Sequence, residues 1–274
     1  KKEIEFLKKY KPWGIILFSR NIKTIKQTKN LTNNIKKIFN DNNYPILIDE
    51  EGGRVNRLKN LFDTSIFTGE FFGKIYKKDL KKFNLYFSIY VKQLSYILRK
   101  VGININTVPV LDIRRKDTDK VIGNRSFGNN PKFVSKIGDF YIKEFHKNHI
   151  ASVIKHIPGH GLAKVDSHKK TPVVNLGLKQ LIKNDFYPFK KKSSFFAMTA
   201  HIVYNKVDKL NTATHSKTVI NLVRKKIKFK NLIVSDDISM KSLKYSTAEN
   251  TKKAFSAGCN LVLHCNGNIK EMTT

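Results

Sequence analysis

The sequence predicts an α/β protein whose parallel strands form a (β/α)8 barrel, also called a TIM barrel. Short runs of apolar residues alternate with helical segments along all 274 residues, and such runs are typical of parallel strands covered on both faces. Polar side chains follow at least four runs directly: Asp49, Lys155 with His156, His201, and Asp236. An open sheet would gather such residues around one crevice, so their spread over many strand ends favours a closed ring.

The first half of the chain contains four predicted strands. A charged amphipathic helix over residues 1–10 ends before Pro12, and residues 14–18 are a continuous apolar run. Apolar residues at helical spacing predict a helix over 25–39, and a second apolar run predicts a strand over 45–48. By the same criteria we expect a helix over 78–100, a strand over 103–111, a helix over 131–148 and a strand over 151–154.

The second half repeats this alternation and brings the number of buried strands to seven. We expect helices over 178–192, 216–226 and 248–257, and strands over 195–200, 231–234 and 260–263. A barrel of this type needs eight strands. The simplest explanation is that the first strand lies before Lys1, so that residues 1–274 form one catalytic barrel domain that is a fragment.

The net charge of +32, from 53 Lys and Arg against 21 Asp and Glu, raises the question of a nucleic-acid partner. The excess is spread along the whole chain, and it accompanies many Asn and Ile residues, as expected from an AT-rich genome. We therefore expect no nucleic-acid partner. A continuous basic face on the folded protein would reverse that expectation.

The two cysteines and the lengths of the apolar runs indicate the cellular compartment to expect. Cys259 and Cys265 lie at the two ends of one apolar run, which as a strand would hold them roughly 20 Å apart, beyond the reach of a disulfide. No apolar stretch approaches the ~20 residues that a membrane span needs. We expect a cytoplasmic protein without a membrane partner.

Residues 151–172 contain the densest group of polar side chains after a buried strand. Asp166 and His168 are two positions apart, so in an extended loop their side chains lie on the same side. The carboxylate could then orient the imidazole and stabilise its protonated form, which makes a general acid/base pair. The alternative is a solvated loop with incidental charges.

Asp236 follows the apolar strand over 231–234 directly. A carboxylate at the mouth of a barrel is well placed as a nucleophile or as a stabiliser of a cation. The alternative is a helix cap, in which Ser235 or Asp237 caps a helix near Met240. Five further charged residues can hydrogen-bond the vicinal hydroxyls of a sugar: Asp49, Arg57, Arg125, Lys155 and His156. We expect Arg54 to pair with Glu51.

A zinc site is a competing interpretation, with ligands drawn from His156, His160, Asp166 and His168. His156 and His160 are four residues apart, but Pro158 and Gly159 between them exclude the helix that would align their rings. We therefore expect no metal and no cofactor. A metal-dependent hydrolase would lose its activity in a chelator.

An ordered set of motifs resembles the NagZ-type β-N-acetylglucosaminidases of glycoside hydrolase family 3. The motifs are GIILFSRN (14–21), IDEEGGRV (48–55), PVLD (109–112), IGNRSF (122–127), KHIPGHG (155–161), DSH (166–168), MTAH (198–201) and SDDISM (235–240). Each motif is weak alone, but the ordered set covers nearly the whole chain and is highly specific. Members of the family carry a further strand before the position of Lys1 and a helical tail after that of Thr274.

The resemblance implies a barrel enzyme that removes terminal β-linked N-acetylglucosamine with retention of configuration. It implies that Asp236 is the nucleophile and that His168, oriented by Asp166, is the general acid/base. Asp49, Arg57, Arg125, Lys155 and His156 would bind the sugar. The implied substrate is a muropeptide, N-acetylglucosamine linked to 1,6-anhydro-N-acetylmuramic acid, in peptidoglycan recycling. We expect a monomer with only this small saccharide as its partner.

Two related activities stay open at the level of sequence. A neutral imidazole does not repel an anionic acceptor as a carboxylate would, so phosphate could compete with water and give a phosphorylase. A β-glucosidase-like relative would accept glucose equally well, whereas the muropeptide enzyme should require the 2-acetamido group.

Overall fold

The computed structural model describes residues 2–115, 120–163, 165–167 and 170–273. Within these ranges seven strands form one parallel sheet in the order β1-β2-β3-β4-β6-β8-β9. They are β1 (Ile15–Leu17), β2 (Ile46–Ile48), β3 (Ile105–Asn106), β4 (Ala151–Ile157), β6 (Phe196–Thr199), β8 (Leu232–Asp237) and β9 (Leu261–Leu263). The α/β class and the seven predicted strands are confirmed, and the described residues supply no eighth strand to this sheet.

The sheet curls around an apolar cluster of its own. Each of the seven strands contributes at least one residue to this cluster, from Ile16 on β1 to Leu261 on β9. Because side chains from both edge strands meet in one cluster, the sheet cannot be flat. Its other face packs against the helices through a larger apolar core.

Nine α-helices surround the sheet in the described ranges. They are α1 (Lys2–Tyr10), α2 (Ile25–Phe39), α3 (Gly69–Lys78), α4 (Leu80–Lys100), α5 (Pro131–Lys147), α6 (Leu178–Lys183), α7 (Lys217–Leu222), α8 (Thr247–Ala257) and α9 (Ile269–Met272). None of these helices is both long and apolar enough to cross a membrane. Cys259 and Cys265 are free thiols, as the sequence predicts.

Helix α3 is the main element that the sequence interpretation missed. It contains Gly69 and Gly73, which lower helix propensity. A Cβ atom on Gly69 would lie 2.1 Å from the main-chain oxygen of Arg125, and one on Gly73 would lie 1.9 Å from that of Phe127. The glycines are therefore required by a close approach of the helix to the loop that carries Arg125.

The predicted strand over 103–111 is shorter in the structure, because Pro109 has no N–H for a sheet hydrogen bond. The chain still runs beside β4: Leu111 N donates to Lys155 O at 2.8 Å, and Lys155 N donates to Pro109 O at 3.1 Å. This irregular segment places Asp112 at the carboxyl end of β4. A separate two-stranded sheet, β5 (Val173–Val174) with β7 (Val203–Tyr204), was not predicted.

Two predicted helices are also shorter than expected. Over 178–192, α6 ends at Lys183 and a 3-10 turn follows over Tyr187–Phe189. Pro188 lies in that turn and cannot donate an N–H to a continuing helix. Over 216–226, α7 ends at Leu222 and continues as a π-type turn, Val223–Ile227.

Candidate active site

A cavity of about 160 Å³ lies at the carboxyl ends of the strands. Six of the eight residues singled out from the sequence line it: Asp49, Arg57, Arg125, Lys155, His156 and Asp236. Ser167, which lies between Asp166 and His168 in the sequence, also lines the cavity. His168 lies outside the described residues. His168 is also one of the candidate zinc ligands, so that part of the zinc interpretation lies outside the described residues too. Among the described residues, no group of three His, Cys, Asp or Glu side chains could hold a metal ion.

Lys155 bridges two carboxylates at the base of the cavity. Its Nζ lies 2.8 Å from Asp49 Oδ1 and 2.7 Å from Glu51 Oε1, and it donates to Thr107 Oγ1 at 2.9 Å. Burial alone would lower the pKa of Lys155, but Asp49 and Glu51 raise it above its usual value. Burial would likewise raise the pKa of Asp49, and Lys155 lowers it. The bridge therefore stays charged at neutral pH.

Glu51 connects this bridge to Arg125. The guanidinium donates from Nε to Oε2 at 2.7 Å and from Nη2 to Oε1 at 2.8 Å, which is the bidentate geometry of a strong ion pair. The predicted pair between Glu51 and Arg54 is therefore wrong, because Glu51 pairs with Arg125 and Lys155. In the structure Arg54 donates instead to the main-chain oxygens of Lys120 and Val121. Because Glu51 and Arg125 are 74 residues apart in the sequence, no local sequence pattern predicts that they pair.

Arg57 lies at the rim and is fixed through its main chain. Its Nη2 is 4.0 Å from Asp49 Oδ2, and its guanidinium carbon is 5.2 Å from the centre of the Phe18 ring. The main-chain N–H of Arg57 donates to Glu50 Oε2 at 2.7 Å, and Leu58 N and Thr64 Oγ1 donate to the same carboxylate. Burial raises the pKa of Glu50 to about 7.

Asp112 holds His156, and it was not among the candidate residues. Its buried carboxylate lies 2.6 Å from His156 Nδ1 and accepts from the main-chain N–H of His160 at 2.6 Å. Burial would raise the pKa of Asp112, but His156 and His160 hold it below its usual value. A carboxylate accepts hydrogen bonds only, so Nδ1 of His156 carries a proton and Nε2 is left for a ligand.

Asp236 differs from Asp49 and Glu51, the two carboxylates of the cavity that pair with cations. Oδ1 accepts from the main-chain N–H of Asp237 at 2.8 Å, and within the described part of the chain no cation lies within 4.0 Å of the carboxylate. Burial would raise the pKa of Asp236, but His201 and His156 lower it. The carboxylate is therefore ionised and, within the described residues, has no close cation, which suits a nucleophile.

The helix-cap interpretation of this segment does not fit the structure. The next helix, α8, begins only at Thr247, and Ser246 caps it. Asp237 instead accepts from Ser239 N, Ser239 Oγ and Cys265 N, at 3.0, 2.8 and 3.1 Å. Asp237 thus holds the loop that follows β8.

His201 is hydrogen-bonded to the end of β8, at the main-chain oxygen of Asp237. Its Nε2 lies 2.9 Å from Asp237 O and its Nδ1 lies 2.7 Å from Thr214 Oγ1. Because a carbonyl only accepts, Nε2 carries the proton and Nδ1 accepts from the threonine. Burial lowers the pKa of His201, which keeps this neutral arrangement. The sequence shows that His201 follows a strand, but it does not show that this residue supports the end of β8.

A curled parallel sheet with a charged cavity at its carboxyl ends defines an α/β enzyme. The family described as "Glycosyl hydrolase family 3 N terminal domain" matches residues 1–274. The chain therefore belongs to glycosyl hydrolase family 3 and is a glycoside hydrolase.

Named relatives and solved structures agree with this assignment. A β-hexosaminidase of Hydrogenovibrio crunogenus is 34% identical over 259 residues, which cover 92% of this chain and 71% of that protein. A β-hexosaminidase of Neisseria gonorrhoeae is 35% identical with the same coverage. The crystal structure of native NagZ from Neisseria gonorrhoeae matches with a TM-score of 0.88 and 33% identity, covering 99% of this chain and 80% of that one.

Proposed function

We propose that this glycoside hydrolase is a retaining exo-β-N-acetylglucosaminidase. The observation that carries the proposal is Asp236, an ionised carboxylate with no close cation among the described residues, in the same cavity as a network of paired charges. Two relatives covering most of the chain carry the name β-hexosaminidase. The proposed substrate is a muropeptide, N-acetylglucosamine linked to 1,6-anhydro-N-acetylmuramic acid, from peptidoglycan recycling.

The sugar is held by the charged residues that line the same cavity as Asp236, which are Asp49, Arg57, Arg125, Lys155 and His156. A sugar hydroxyl both donates and accepts, so it can bridge a carboxylate and a cation without disturbing the pair. Because the side chains of Asp49, Arg125, Lys155 and His156 are already held by one another and by Glu51 and Asp112, little of their side-chain entropy is lost on binding.

The chemistry follows the double displacement of retaining glycosidases. An oxygen of Asp236 attacks C1 of the sugar, the bond from C1 to the glycosidic oxygen breaks, and His168 donates a proton to that oxygen. The neutral His168 then takes a proton from water, which attacks C1 and releases Asp236. Asp166 orients the imidazole. Such proton transfer contributes roughly 10²–10⁴-fold to the rate.

We further propose that the curled sheet is part of a (β/α)8 barrel, and that residues 1–274 act as one catalytic domain. The meeting of β1 and β9 side chains in one interior cluster supports a closed ring. We propose a monomer that works in the cytoplasm, where muropeptide recycling would supply the substrate.

A phosphorylase is the second candidate, because Lys155, Arg57 and Arg125 line the cavity and would tolerate an anionic acceptor. Both candidates are tested by release of nitrophenol from 4-nitrophenyl β-N-acetylglucosaminide, with and without phosphate. We expect activity in the wild type and in the exposed variant Asp41→Asn, and none in Asp236→Ala. Sugar 1-phosphate among the products would select the phosphorylase. Equal turnover of the glucoside would contradict the need for the 2-acetamido group.

A further inference from the structure

The turn after β4 is anchored to the body of the protein on both sides of His160. Tyr204 Oη donates to Gly159 O at 2.5 Å. A Cβ atom on Gly161 would lie 2.1 Å from the main-chain oxygen of Ile113, and Gly159 has φ +144. Only glycine fits these two positions, so the main chain that carries His160 is fixed.

The His160 side chain extends this fixed turn to the next loop. It is only 3% exposed, and its ring centre lies 5.6 Å from that of His156. Nε2 lies 3.1 Å from the hydroxyl of Ser167, which is itself 4% exposed. The bond therefore joins two buried groups across seven residues.

The protonation state of His160 follows from its surroundings. Burial first, then His156 and Arg125, lower its pKa to about 4, although Asp112 opposes the shift. The ring is therefore neutral near pH 7. Nδ1 is buried and has no hydrogen-bond partner among the described residues. A buried lone pair without a partner is tolerated better than a buried N–H without one, so we assign the proton to Nε2, which donates to Ser167 Oγ.

We propose that His160 and Ser167 are positioning residues for the general acid/base. Ser167 lies between Asp166 and His168 in the sequence, so the bond from its hydroxyl to His160 restrains the segment that contains the two residues of the acid/base pair. This inference rests on the proposed function, in which His168 protonates the leaving oxygen. Neither His160 nor Ser167 exchanges a proton with the substrate; they act through the residues beside them.

A leaving-group series separates positioning from general stability. Formation of the glycosyl-enzyme determines kcat/KM. A 2,4-dinitrophenyl leaving group departs without protonation, whereas a phenyl group needs the acid. For Ser167→Ala we expect kcat/KM on phenyl β-N-acetylglucosaminide to fall roughly tenfold or more, and by no more than the 10²–10⁴-fold that proton transfer contributes as a whole. On the dinitrophenyl substrate we expect a change of less than about twofold.

Matched variants complete the experiment. Ser167→Thr and His160→Gln keep the hydroxyl and the donor, so both should recover most of the activity on the phenyl substrate, while His160→Leu should behave as Ser167→Ala. Ser242→Ala is the control: this serine is 1% exposed and its hydroxyl has no partner among the described residues.

One result would contradict the positioning proposal, and another would contradict the assignment of His168 as the general acid/base. Equal losses on both substrates in Ser167→Ala would mean a purely structural role and would contradict the positioning proposal. His168→Ala is the reference for the chemistry. If it too loses both activities equally, the acid/base assignment fails. If it shows the leaving-group dependence and Ser167→Ala does not, only the positioning inference fails.

Discussion

The two sides of the cavity hold their functional side chains in opposite ways. On the side of β2 and β4, each charged group is tied to others: Lys155 to two carboxylates, and Arg125 to Glu51 through two bonds. On the side of β8, Asp236 accepts one main-chain hydrogen bond and no cation pairs with it among the described residues. One side is held by close ion pairs, and the other carries a carboxylate without a close cation among the described residues, as the proposed nucleophile requires.

The difference has a physical reason. A buried ion pair repays the cost of desolvation only when its geometry is fixed and its remaining bonds are satisfied, as they are around Lys155. A nucleophile with the same partners would lose the lone pair that it needs for attack. Asp236 instead has no close cation among the described residues; the main-chain N–H of Asp237 donates to one of its oxygens, and its pKa stays below the usual value of a carboxyl.

Asp236→Asn should give the largest effect on activity. Removing a nucleophile costs on the order of 10⁴-fold or more in kcat, whereas the free energy of unfolding should change by less than about 1 kcal/mol, because no close ion pair is lost. Turnover of the nitrophenyl substrate and urea denaturation measure the two quantities. A large loss of stability with modest loss of activity would reverse the roles assigned to the two sides.

Lys155→Met should give the opposite result, with stability affected first. Two buried carboxylates would lose their shared cation, and breaking a buried pair costs about 3–5 kcal/mol. The exposed Lys179→Met serves as the matched control and should cost less than about 0.5 kcal/mol. If both variants unfold at the same urea concentration, the bridge does not stabilise the fold.

Glu50 should make stability depend on pH in a direction that is unusual for a carboxylate. Its pKa is raised to about 7 in the folded protein, from 4.5 for an unperturbed glutamate side chain, so the folded state binds the proton more tightly. Its contribution is present below pH 4.5 and is lost as pH rises through 7, by about 3 kcal/mol. Urea denaturation at pH 5 and pH 8 of wild type and Glu50→Gln isolates this difference. The same pH dependence in both proteins would contradict it.

Arg125→Lys should give the smallest of these effects. An ammonium cannot reproduce the two parallel bonds to Glu51, so we expect a loss of about 1–2 kcal/mol in stability. KM for the nitrophenyl substrate should rise while kcat changes less. A fall in kcat with constant KM would place Arg125 in the chemical step instead of in binding.

The sequence was most informative where a residue of the cavity follows a regular strand. Asp49, Lys155 and Asp236, which line the cavity, were singled out because an apolar run ends directly before or at them. Glu51 and Asp112 were not, since their importance comes from partners 74 and 44 residues away. Helix α3 was missed because two glycines required by close packing conceal its periodicity.

The most direct test of the central claim is to trap the sugar on Asp236. A 5-fluoro-N-acetylglucosaminyl fluoride reacts readily in the first step and slowly in the second, so a glycosyl-enzyme should accumulate. Mass spectrometry of the intact protein and of its peptides should then show one added sugar on the peptide that contains Asp236, and none in Asp236→Asn. An adduct on another residue, or turnover of ordinary substrate with inversion at C1, would contradict a covalent mechanism through Asp236.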